Sequence, residues 1–87
     1  MRATLAVIVL QHGGWRDTAA CLQSLVPAVR AGGVRVIVVD NASTDDTAAQ
    51  AEAAGAHVVR TPRNLGFGRG ANAGFAVIET EFGLLLN

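Results

Sequence analysis

Eighty-seven residues and 9.0 kDa make one small domain or a part of a larger one, too short to hold two. With 51% hydrophobic and 16% charged residues, the composition is that of a folding chain and excludes intrinsic disorder. Seven basic residues, all arginine, balance seven acidic ones to a net charge of zero, so the electrostatic footprint of a nucleic-acid binder is missing.

The first apolar run, residues 5–10, reads Leu-Ala-Val-Ile-Val-Leu without alternation, as a strand covered on both faces does. A helix follows, with Asp17 or Thr18 as its cap, an inner stripe of Leu22, Leu25, Val26 and Val29, and Pro27 as a kink or end. Gly32 and Gly33 close that connection. The run at 34–39 is a second buried strand, finished by Asp40. Ser43, Thr44, Asp45 and Asp46 supply capping oxygens and first-turn carboxylates for a second helix over 47–54, stopped by Gly55. Residues 56–60 and 82–86 are weaker strands, and a third helix is predicted over 71–80. Strand and helix alternate throughout, which predicts an α/β chain with a mostly parallel sheet and flanking helices.

The lone Cys21 excludes an internal disulfide and a multi-thiolate metal cluster, and reads as a small core residue. The apolar opening is too short for a signal peptide and is followed by Gln11-His12-Gly13-Gly14 where a cleavage site would stand. No run approaches the ~20 apolar residues of a membrane span. A cytoplasmic protein without a membrane span is the expectation.

In an open parallel sheet, ligands bind beyond the carboxyl ends of the strands, where strand order reverses. That edge collects Gln11 to Gly14, Asp40 and Asn41, residues 61–70, and Asn87. Asp40 can accept hydrogen bonds from a ribose hydroxyl or a base N–H. Its alternative is to open a turn, with Asn41 and Ser43 capping the next helix. In the segment Arg63 to Gly74, alternating glycines ahead of the third helix leave backbone N–H groups bare between Arg63 and Arg69, as a diphosphate site requires. The alternative is a flexible loop whose glycines satisfy backbone geometry. His12 offers a ring to stack on a base. Trp15 reads as packing at the start of the first helix, and His57 as a structural strand residue.

These runs also resemble a known family. Val36-Ile37-Val38-Val39-Asp40-Asn41-Ala42-Ser43-Thr44-Asp45 is similar to the V-I-V-V-D-N-x-S-T-D signature of the family 2 glycosyltransferases. Asn64-Leu65-Gly66-Phe67 through Asn72-Ala73-Gly74-Phe75 is similar to that family's N-x-G-F-x-x-x-x-N-x-G segment. Residues 7–22, with Gly14-Trp15-Arg16-Asp17-Thr18 and Cys21-Leu22, resemble its rhamnosyltransferase-like branch. The likeness spans essentially the whole chain in order. It departs at His12, where an aromatic residue is usual, and at Gly13, where Asn is common.

The resemblance implies the Rossmann-like nucleotide-diphospho-sugar transferase fold of the GT-A type. Residues 1–87 would form its N-terminal, nucleotide-binding half. It implies a hexosyltransferase-type enzyme that uses a UDP- or dTDP-sugar and Mg²⁺ or Mn²⁺. His12, Asp40, Asn64, Gly66, Arg69 and Asn72 would hold the nucleotide sugar, and Asn87 would take the first position of the N-x-D metal motif. The sequence stops there, before the aspartate that would ligate the metal and before a catalytic base. The expectation is therefore a donor-binding part of an inverting enzyme, inactive alone, that meets either its missing C-terminal part or a second copy. Two alternatives stand beside it: a dinucleotide-binding fragment of an oxidoreductase, although Gln11-His12-Gly13-Gly14-Trp15 is not G-x-G-x-x-G, and a non-catalytic binding module.

Overall fold

The structure, a computed structural model, describes residues 3–12, 15–43 and 46–86. Among the described residues, seven elements alternate: β1 (Leu5–Gln11), α1 (Trp15–Arg30), β2 (Val34–Asp40), α2 (Thr47–Ala53), β3 (His57–Arg60), α3 (Gly66–Phe75) and β4 (Phe82–Leu86). The four strands form one all-parallel sheet in the order β3-β2-β1-β4. The chain steps outward from β1 to β3 and then crosses back to β4, so strand order reverses beside β1. The α/β fold with flanking helices is the one expected.

Unbroken β-branched runs form these strands because each face has its own cover. Val7, Val9, Val36 and Val38 pack with Leu22 of α1 and Ala51 of α2 on one face. Ala6, Ile8, Ile37 and Val39 face the other way, with Ala73 of α3 packed on them. Alternate residues therefore enter two cores, which is why the sequence shows no polar alternation. Trp15 and Cys21 pack against the first core, as expected, whereas His57 is exposed on β3.

Two helices differ from their sequence expectation. α1 starts at Trp15, ahead of Asp17 and Thr18, and Thr18 is buried in its first turn instead of standing outside as a cap. Pro27 neither ends nor interrupts α1. It deletes only the N–H that would reach the Gln23 carbonyl, and both residues are exposed, where water can take up the freed oxygen.

The larger difference is α3, which occupies residues 66–75 where 71–80 was expected. Glycine's poor helix propensity argues for a loop there. Tertiary fit overrides it. A Cβ on Gly70 would lie 2.7 Å from Leu10 Cδ1, and one on Gly74 would lie 2.7 Å from Ile8 Cγ2 and 2.9 Å from Val39 Cγ2. The glycines let α3 lie close against β1 and β2. The loop of bare glycine N–H groups is thus replaced by a helix whose first turn stands at the sheet edge.

Candidate functional site

Asp40 ends β2 and is 6% exposed. Its Oδ1 accepts the N–H of Ser43 at 3.1 Å, so one carboxylate oxygen holds the turn into α2, as the turn reading expected. The same turn carries Ala42 at φ 61°, a left-handed conformation that costs a residue with a Cβ roughly 1–2 kcal/mol. Asp46 occupies the N-cap position of α2, but its side chain caps no backbone N–H as was expected of it; its Oδ1 instead accepts Nε2 of Gln50 at 2.6 Å. Thr44 and Asp45, also expected to cap or charge this helix, lie outside the described residues.

Asn41 does not cap α2. It is 3% exposed and reaches across the edge. Its N–H donates to Gln11 O at 2.6 Å, and its carbonyl accepts His12 Nδ1 at 2.7 Å. Its side-chain Oδ1 accepts Leu65 N–H at 2.8 Å, while its Nδ2 donates to Gly66 O at 3.2 Å. The Thr61 hydroxyl stands 3.0 Å from that Oδ1 and 2.8 Å from Arg63 O, and its single proton serves one of them at a time. The Asn41 backbone thereby ties in the end of β1, while its buried carboxamide joins the segment after β3 to the start of α3. Sequence reasoning missed this role, because all its side-chain partners lie at least twenty residues away.

Of the other candidates, His12, Asn64 and Gly66 border Asn41, whereas Arg69 and Asn72 do not. His12 is exposed, and donation from Nδ1 to a carbonyl fixes its neutral form as the Nδ1–H tautomer, leaving Nε2 as an acceptor. Asn64 Oδ1 accepts Gly66 N–H at 2.9 Å. With Leu65 and Gly66 so engaged, the N–H groups of Phe67 and Gly68 are left without a partner among the described residues, at the positive end of α3. Arg69 and Asn72 are both exposed on α3, and the network does not reach them. Asn72 lies on the side of the helix away from Gly70 and Gly74. Asn87 lies outside the described residues.

Register adds a second line of groups. Gln11 pairs with Asp40, and Asp40 with Arg60. Val9, Val38 and Val58, two residues earlier on each strand, share one core, so Gln11, Asp40 and Arg60 stand in a row on that same face. A cleft of about 220 Å³ opens beside Asp40, between the β2–α2 turn and the end of β3, with Ser43, Asp46, Arg60 and Thr61 in its walls. Arg60 also pairs with Glu52 at 3.2 Å.

Among the described residues, no three His, Cys, Asp or Glu side chains stand together as a metal site. The described residues thus offer no such cluster to Mg²⁺ or Mn²⁺, and Asn87, the metal candidate read from the sequence, lies outside them. Nor is any described helix long and apolar enough to cross a membrane. A family model described as "Glycosyl transferase family 2" matches residues 6–87. No curated protein matches the chain.

Proposed function

The chain belongs to glycosyl transferase family 2, and from that premise we propose that it holds the nucleotide end of a nucleoside-diphosphate sugar, UDP- or dTDP-linked, for an inverting transfer to an acceptor hydroxyl. The observation that carries this reading is the convergence, through Asn41, of Asp40, His12 and the start of α3 at the point where strand order reverses. Asp40 accepts a base or ribose donor with the carboxylate oxygen not held by Ser43. His12 lays its ring against the base, with Nε2 open to a hydroxyl or N–H. The N–H groups of Phe67 and Gly68 face the diphosphate, and Arg69 meets its charge from the helix surface.

In the reaction, the acceptor oxygen bonds to the anomeric carbon as the bond to the diphosphate oxygen breaks, and the hydroxyl proton passes to a base. Among the described carboxylates, Asp40, Asp46 and Glu52 already serve the Ser43 turn, Gln50 and Arg60. Glu79 and Glu81 precede β4, at the opposite edge of the sheet, and the role assigned to this chain is donor holding. An oxidoreductase domain would share an acidic residue after β2 but not this family membership.

Titration calorimetry with UDP, dTDP, uridine and pyrophosphate tests the reading. Both nucleoside diphosphates are expected to bind. Asp40→Asn, which keeps an oxygen for Ser43, is expected to lose about 1.5–3 kcal/mol, the range for a hydrogen bond to a charged group. Arg69→Ala is expected to weaken UDP and pyrophosphate while leaving uridine unchanged. A chain that binds neither nucleoside diphosphate would overturn the proposal.

A further inference from the structure

Gln11, the last residue of β1, is 4% exposed, and its Nε2 is shut off from solvent with no hydrogen-bond partner among the described residues. A buried donor left unpaired carries its full desolvation penalty, so an apolar side chain of the same length would make the empty chain more stable. The row at the sheet edge shows what the amide can serve. Its register partner is Asp40, on the same face, whose Oδ1 is already taken by Ser43. An unspent N–H donor and a carboxylate acceptor thus stand on adjacent strands beside the crevice.

We propose that Gln11 reads the nucleobase: its amide N–H donates to a ring carbonyl while the Asp40 carboxylate accepts the neighbouring ring N–H, a pairing that fits the imide edge of uracil or thymine. The proposal rests on the nucleotide-donor reading above. The amide can turn from its closed position toward a ligand without breaking a hydrogen bond, because it makes none there. It also accounts for a polar residue at a place where folding alone favours an apolar one.

The test compares wild type with Gln11→Met, which keeps the length and removes the donor. The variant is expected to melt about 4–8 °C higher, the shift that relief of about 1 kcal/mol gives a domain of this size. It is also expected to bind UDP about ten-fold more weakly and pyrophosphate equally well. A second arm needs only the wild-type chain. Either 2-thio-UDP or 4-thio-UDP, in which a poor acceptor replaces one carbonyl, should bind at least about five-fold more weakly than UDP. Wild type that binds UDP and both thio analogues alike, or a Gln11→Met chain that binds UDP as wild type does, overturns this inference and leaves the nucleotide-donor reading standing. A melting point lowered by the substitution, with UDP affinity unchanged, makes the amide structural and overturns it as well. Wild type that binds neither UDP nor dTDP removes both.

Discussion

At the scale of single residues, the Asn41 side chain holds the start of α3 to the segment after β3. Asn41→Ala would strand Leu65 N–H and Gly66 O, both of which it now satisfies. We expect a loss of about 1 kcal/mol in urea unfolding, the net worth of ordinary hydrogen bonds, since Leu65 is half-buried and Gly66 exposed. UDP affinity should fall with it, because the start of α3 loses its anchor. Ala42→Gly should act in the opposite direction and raise stability by about 1 kcal/mol, since glycine adopts the left-handed turn at φ 61° without strain. A lower unfolding midpoint for that variant would show that the turn is not strained. Asp40 was legible in the sequence because a carboxylate closing an apolar strand is conspicuous. Asn41 was not, because an Asn after an Asp reads as local turn chemistry, and only the fold brings Leu65 and Gly66 to it.

Among the elements, α3 separates propensity from packing. Gly68, Gly70 and Gly74 have the same side chain but different surroundings. Nothing lies within 4 Å of a Cβ on Gly68, whereas Gly70 and Gly74 meet Leu10 and Ile8 at 2.7 Å. Gly68→Ala should therefore stabilise by about 0.5–1 kcal/mol, the helix-propensity gain. Gly70→Ala and Gly74→Ala should destabilise, because overpacking at about 1–3 kcal/mol exceeds that gain. Thermal melts of the three variants check both signs. β1 and β2 were legible because a two-sided core demands nearly unbroken apolar runs. The beginning of α3 was hidden because glycine serves equally in a loop and in a helix pressed against a sheet. α1 hid its own beginning in a similar way: Thr18 looks like a cap until its burial is known.

For the whole molecule, the two sheet edges are unequal. β3 ends in Arg60, paired with Glu52, and carries His57 on its exposed side. β4 is Phe-Gly-Leu-Leu-Leu, without a charge or a proline, and leaves Phe82 65% and Leu84 47% exposed. An uncharged, apolar edge invites pairing with another chain. Sedimentation velocity should show association that grows with concentration, and Leu84→Lys should suppress it without loss of helix or strand signal in circular dichroism. The sheet order has a further consequence, for the order in which the protein is made. β1, the first of these four strands to leave the ribosome, ends up between β2 and β4, and Leu5 takes Phe82 as its register partner. A nascent chain that has emerged only as far as β3 can assemble β1, β2 and β3, but the open flank of β1 and the bare face of Ile8 must wait for α3 and β4. Completion is deferred until β4 emerges, and that interval is when these strands most need a chaperone.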